Sequence, residues 1–195
     1  MARLRDIILA VIGLSVLMVP MVIIAVVLAV TQERVLFWQE RTGYRGRTFR
    51  MVKFSTLRDI RSGEREEDDQ RERLTWAGKW LRRFSVDEWP QLWHVLIGDM
   101  RLVGPRPVLH EYWSLYSEHQ KKRFEVRPGI TGWAQVNGRN ALSFTERFEL
   151  DVWYVEHRSF GLDGRILIRS LRGMGPGDGV YADARTTMEK FNGHK

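Results

Sequence analysis

Hydrophobic positions along the chain follow three patterns. From Ile7 to Val30 the chain reads "IILAVIGLSVLMVPMVIIAVVLAV", 24 residues without a charge, well past the roughly 18 that mark a candidate membrane helix. It is also longer than the roughly 7 to 15 apolar residues of a secretory signal, and no small-x-small cleavage site in a polar region follows it. From Val35 to Leu57 the pattern changes to two β-prone runs around the Gly43–Gly46 turn region. Imperfect alternation of Phe49, Val52, Phe54 and Leu57 predicts a hairpin there.

Helical intervals then return in three places. Leu74–Phe84 sets Trp76 and Trp80 one turn apart, and Ser143–His157 opens with Ser143 and Glu146 in capping-box spacing. Asp163–Arg172 is expected to start with Asp163 as N-cap and to gather Arg165, Arg169 and Arg172 on one face. Such a basic amphipathic helix suits an anionic membrane surface, and the same pattern also describes an ordinary surface helix. Between the hairpin and the first of these helices, Arg58–Arg73 is a charge run whose "EREEDD" reads as solvated loop or helix face. "GMGPGDG" after Arg172 lacks a strand-to-helix setting and reads as a linker.

Pro20 falls just past the middle of the apolar segment, where it removes a backbone hydrogen bond and favours a bend. Arg3 and Arg5 precede the segment; Arg34, Arg41, Arg45, Arg47 and Arg50 follow it. With cations on both flanks, the positive-inside rule gives a straight span no clear orientation. A helix that bends and leaves on the face it entered satisfies both flanks, and a Pro-kinked single span is the other solution.

Composition narrows the chemistry. Lys and Arg total 31 against 24 Asp and Glu, and 25 of the 31 are Arg, a bias toward planar, bidentate recognition of phosphate or carboxylate. With no Cys there is neither a disulfide framework nor a thiol nucleophile, and the five His show no HExxH and no close pair. Eight Trp is a high count, and Trp38, Trp76, Trp80 and Trp89 are placed to serve either in a core or at a headgroup layer.

Three polar stretches carry the candidate chemistry. In "FSVDEWPQLWHVLIGDMR" the acids Asp87 and Glu88 interrupt an aromatic run. Ser85 and Glu88 have capping-box spacing, and Asp87 as cap would leave Pro90 harmlessly in the first turn. Either way the acids sit at a helix N-terminus, where the dipole favours a carboxylate able to act as nucleophile or metal ligand. "GDMRLVGPRP" holds Arg106 between two prolines, a stiff mount for a phosphate-binding guanidinium. "RPGITGWAQVNGRN" reads as a glycine-rich loop with Arg127, Gln135, Asn137, Arg139 and Asn140, a donor set that fits an anionic, hydroxyl-rich ligand such as a nucleotide sugar.

Together with "FRMVKFSTL" and "FELDVWYVEH", these stretches make nearly the whole chain resemble the small monotopic phosphoglycosyl transferases, the bacterial sugar transferase family. The ending "TTMEKFNGHK" is similar to that of members specific for bacillosamine. The resemblance implies an α+β, mostly helical fold: a re-entrant membrane helix at 1–31, then a cytosolic catalytic domain at 32–195 with a β-hairpin, interfacial amphipathic helices and a flexible tail from about 173. Many members carry Ser before the helix proline, where this chain has Val19.

The implied reaction is ping-pong, on the cytoplasmic face of the bacterial inner membrane. Asp87 attacks a UDP-sugar, best matched by UDP-N,N'-diacetylbacillosamine, releasing UMP, and undecaprenyl phosphate then takes the phosphosugar to begin an N-linked or other glycan. Glu88, with Asp87, holds Mg²⁺ or assists the exchange. Arg106 and Arg139 bind phosphate, Lys53 adds charge, Gln135 and Asn137 contact substrate, and Asp151 or Asp163 completes the polar site. Phospholipid is the expected surface and nucleic acid is not an expected partner. A UDP-HexNAc or UDP-hexose donor is the nearer alternative, and a non-catalytic, membrane-tethered anion-binding module the alternative of another class.

Overall fold

The computed structural model describes residues 2–32, 34–60, 73–138, 142–173 and 191. The acidic cluster at 64–69, Arg139, and nearly all of the glycine-rich segment and tail after Gly173 lie outside them.

The apolar segment forms one helix, α1 (Ala2–Thr31), with Pro20 inside it. Asp6, Ala10 and Leu28 are buried, Met21, Ile24 and Ala25 pack partly, and a Cβ on Gly13 would come within 3.2 Å of Leu92. These positions recur every three to four residues, so one stripe lies against the rest of the protein along the whole helix. Val16, Met18, Val19, Val22 and Val30 lie on the opposite, exposed flank. A helix that is apolar all round and covered on one side only leaves a surface of the kind a bilayer covers.

Both ends of α1 are tied to that same body. Near the start, Arg3 donates to the carbonyls of Val95 (2.5 Å) and Leu96 (2.9 Å). At the end, Leu28 packs with Phe54, Ala77, Leu81 and Val86, and Gln32 donates to Ser55 O at 2.9 Å.

The predicted hairpin is present as β1 (Leu36–Thr42) and β2 (Thr48–Phe54), antiparallel from Leu36 opposite Phe54 to Thr42 opposite Thr48. A short β4 (Val108–Leu109) joins the free edge of β1, while β3 (Arg101–Val103) and β5 (Gly129–Thr131) form a parallel pair. Gly104 and Gly129 let those two segments touch: a Cβ on Gly129 would lie 2.1 Å from Gly104 N. That contact seats the Pro105–Pro107 loop.

Helix α2 (Trp76–Arg83) is capped by Thr75, whose side chain accepts from Gly78 N at 2.9 Å. A tight 3₁₀ helix, Val86–Gln91, runs directly into α3 (Leu92–Ile97). Single turns α4 (Glu118–Lys121) and α5 (Trp133–Val136) precede the long pair α6 (Phe144–His157) and α7 (Phe160–Arg172). The Ser143–Glu146 capping box forms as read. The cap of α7, in contrast, is Ser159 and not Asp163: the helix begins a turn earlier, with Ser159 accepting from Leu162 N.

Asp163 instead enters a buried ionic cluster. Its carboxylate accepts from Arg5 (2.8 Å), Arg101 (3.2 Å) and Tyr154 OH (2.7 Å), and Asp6, fully buried on α1, accepts from the same two arginines. Two carboxylates against two guanidiniums neutralise one another where the apolar helix meets α7. The result is a mostly helical protein with small sheets and a long apolar helix suited to membrane attachment.

Candidate active site

Asp87 and Glu88 occupy the first turn of the 3₁₀ helix, which packs on β2. The turn is entered through Ser85 in the left-handed region, φ 54°, and the expected Ser85–Glu88 capping box does not form. Glu88 has a stronger partner: Arg106 forks onto its two carboxylate oxygens, Nη1 to Oε2 at 3.1 Å and Nη2 to Oε1. A charge-assisted bidentate pair outcompetes a hydrogen bond from a backbone N–H. The proline-held loop thus delivers Arg106 to Glu88, 18 residues away in sequence.

Asp87 is 7% exposed. Burial is the main cause that pushes its pKa up to about 6, and the charge of Glu88 adds to it, while Lys53, Arg82 and Arg106 pull the other way. The helix-start effect expected to keep this acid firmly ionised is therefore outweighed by desolvation. Burial would also raise Glu88, yet Arg106, with help from Lys53 and Arg41, holds it below the usual carboxylate range. The neighbouring acids are thus driven apart, the pattern by which sites assign separate roles to two similar groups.

Lys53, on β2, is lowered to about 8, chiefly by burial and then by Arg82, with Asp87 and Glu88 opposing. Its strand is braced from behind: Val52 N donates to His94 Nε2 at 3.2 Å, leaving the ring proton on Nδ1, 3.1 Å from Asp99 Oδ2. Arg82, at the end of α2, donates to Thr56 Oγ1 at 2.9 Å.

Beside this cluster lies a cavity of about 870 Å³ lined by Glu88, Arg106, Arg41, Gln135, Asp151 and apolar side chains of α3, α5, α6 and α7. Leu9 of α1 also lines it, so the cavity reaches the apolar helix. Gln135 meets the wall with its amide bonded to Ile130 O and its Oε1 unpartnered among the described residues. Asp151 reaches the same wall already gripped by Arg123, whose Nε and Nη2 donate to Oδ2 at 3.1 and 2.5 Å. Asn137 is not among the lining residues; it donates to Trp133 O and accepts from Arg169. Asp163 sits in the α1 cluster described above.

Arg41, Arg82, Arg123 and Arg147 are members of this neighbourhood that the motifs did not single out. For Arg147 a signal existed: Phe144, Arg147, Phe148 and Asp151 recur at helical spacing, placing a guanidinium on an inward, aromatic face.

A family model described as "Bacterial sugar transferase" matches residues 1–175. The chain belongs to the bacterial sugar transferase family. It is an enzyme, a phosphoglycosyl transferase by its family and its relatives' names, which removes the binding-module alternative. It is 47% identical over 170 residues to the uncharacterized sugar transferase EpsL of Bacillus subtilis (strain 168), covering 87% of this chain and 84% of that protein. It is 39% identical over 177 residues to the UDP-glucose:undecaprenyl-phosphate glucose-1-phosphate transferase of Xanthomonas campestris pv. campestris, and 38% over 153 to the galactosyl transferase CpsE of Streptococcus agalactiae serotype III (strain NEM316). The matches cover 85% and 70% of this chain but only 37% and 34% of those proteins, so the chain spans about a third of each.

Proposed function

We propose that this sugar transferase moves a phosphosugar from a UDP-sugar to undecaprenyl phosphate at the cytoplasmic face of the bacterial inner membrane, through a covalent intermediate on Asp87. The observation that carries the reading is a buried Asp next to a Glu that Arg106 fixes, the Glu and not the Asp lining a large cavity that extends to the apolar helix. An Asp oxygen attacks the sugar-bearing phosphorus. The bond from that phosphorus to the bridging oxygen breaks, and UMP leaves with the electron pair. A phosphate oxygen of the acceptor then attacks the same phosphorus, frees the Asp87 carboxylate and forms a polyprenyl diphosphosugar. The name of the Xanthomonas relative supports undecaprenyl phosphate as acceptor.

Each residue has a defined task in this scheme. Arg106 keeps Glu88 ionised and presents its remaining donors to phosphate, and Lys53 and Arg82 favour the carboxylate form of Asp87. Arg139 is assigned to a substrate phosphate by its motif alone, Asn137 stays outside the cavity lining, and Gln135 offers an acceptor to a ligand hydroxyl or N–H. Asp151 orients Arg123, and Asp163 holds α1 against the domain, so both support the site without touching the transferred group.

Two adjacent carboxylates, one raised in part by the other's charge, fit a hard cation such as Mg²⁺, which binds one or two carboxylates and completes its shell with phosphate oxygens and water. Among the described residues no larger cluster of metal-binding side chains competes for it. Mg²⁺ held by Asp87, and by the Glu88 lone pairs that the Arg106 fork leaves open, would neutralise phosphate charge as the bond breaks.

For the donor, the tail "TTMEKFNGHK" supports UDP-N,N'-diacetylbacillosamine. The glucose and galactose in relatives' names favour a UDP-hexose as second reading. UMP release is measured with a panel of UDP-sugars, undecaprenyl phosphate and Mg²⁺. The preferred donor gives the highest kcat/KM, and Asp87→Asn gives neither turnover nor a phosphosugar adduct. Near-normal UMP release by that variant sinks the nucleophile assignment.

A further inference from the structure

The cavity wall beyond Glu88 carries arginines with nitrogens that no group among the described residues accepts from. Arg147 has Nε and Nη2 buried without a hydrogen-bond partner among the described residues, and so has Arg123 at Nη1 and Arg41 at Nε. Arg123 is 2% exposed and its other two nitrogens are taken by Asp151, with Nη2 also donating to Arg106 O at 2.9 Å. A buried guanidinium nitrogen left without an acceptor is destabilising. Here several such nitrogens, themselves shut off from solvent, belong to side chains that line one cavity.

The charges point the same way. The ionic residues lining the cavity are Arg41, Arg106, Arg123 and Arg147 against Glu88 and Asp151. Glu88 is committed to Arg106 and Asp151 to Arg123, which leaves Arg41 and Arg147 as an excess of two positive charges. Arg147 is held below its usual pKa by burial and by the nearby Arg106, with Asp151 only partly offsetting them. Excess positive charge in a poorly solvated wall is relieved by a ligand of opposite sign. A substrate phosphate supplies that sign and the planar oxygen pair a guanidinium fork matches.

We propose that Arg147 is a phosphate-binding residue of the cavity, its guanidinium turning out of the wall to fork a substrate phosphate, with the neighbouring Arg123 adding positive charge to the same subsite. This subsite is separate from the Arg106–Glu88 fork. It rests on the reading of the cavity as the substrate site. The phosphate belongs either to the nucleotide or to the polyprenyl acceptor, and the two sources are separable by experiment.

Binding of UMP to the detergent-solubilised full chain is measured by calorimetry, and KM for undecaprenyl phosphate by steady-state turnover, for the unaltered protein, Arg147→Gln and Arg147→Lys. Thermal melts accompany each. Loss of a charge-assisted, bidentate contact weakens one of the two ligands by roughly tenfold to a hundredfold in Arg147→Gln. Weaker UMP binding identifies the nucleotide phosphate, and a raised KM identifies the acceptor. Arg147→Lys keeps the charge but not the fork and recovers part of the loss. Because Arg147 Nε and Nη2 have no partner among the described residues, Tm in Arg147→Gln is unchanged or higher, a result that a structural role for Arg147 does not give. Unchanged UMP binding and KM overturn the subsite, and so does a fall in Tm that parallels the loss in both variants. If the unaltered chain neither binds UMP nor uses undecaprenyl phosphate, the reading of the cavity itself fails.

Discussion

A carboxyl group that titrates near 6 when folded and near 3.8 when unfolded works against the fold at neutral pH. The folded state of Asp87 binds its proton more tightly, so acidification through pH 6 toward 4 removes a cost that is fully present above pH 6. A shift of about two units corresponds to about 3 kcal/mol at most. Asp87→Asn, which cannot ionise, is therefore expected to be more stable than the unaltered protein at pH 7.5 in the presence of a chelator, with the difference vanishing near pH 4. Denaturant melts at the two pH values check this, and equal stability at pH 7.5 contradicts the burial argument. The same groups shape activity. A nucleophilic Asp87 loses its charge below about pH 6, and Lys53 loses its own above about pH 8. In Lys53→Arg the alkaline fall in kcat/KM moves upward because a guanidinium stays protonated there, whereas an unmoved limb assigns it to another group.

Elements show where local pattern was a sufficient guide. The hairpin and the Ser143–Glu146 box depend on residues within a few positions of one another, and both were legible. Ser85-x-x-Glu88 has the same local spelling but a distant competitor, Arg106, and the distant partner won. Asp163 was misread for the same reason: its partners are Arg5, Arg101 and Tyr154, the first of them 158 residues away. That network predicts what the residue does. Asp163→Asn leaves two guanidiniums facing Asp6 alone, and disrupting a buried ionic cluster costs on the order of 3 kcal/mol. A Tm lowered by several degrees is expected, with an unchanged KM for UDP-sugar in the folded fraction at low temperature. A raised KM at unchanged Tm would return Asp163 to the substrate site.

At the scale of the whole molecule, the decisive relation is between α1 and everything else. A straight helix of 30 residues is about 45 Å long, enough to cross a bilayer, and its composition alone permits a span. Yet the rest of the chain holds Arg3 near one end, Gln32 beyond the other, and a stripe in between. A polar domain fastened to both ends of a spanning helix would have to lie within the hydrocarbon core, where its charged surface has no solvent. A helix that enters and leaves the same leaflet places both ends, and the domain, on one face. Trp76, Trp80, Trp93 and Phe160 are exposed on the surrounding helices and suit a headgroup layer. In this Cys-free chain, single cysteines at Ala2 and at the exposed Glu118 can be labelled in intact cells with a membrane-impermeant maleimide. On the proposed placement, with both ends of the helix at the cytoplasmic face, both are expected to stay unlabelled until the membrane is opened. Labelling of the Ala2 site alone from outside would establish a full span and require the N-terminal docking of Arg3 and Asp6 to break in the membrane.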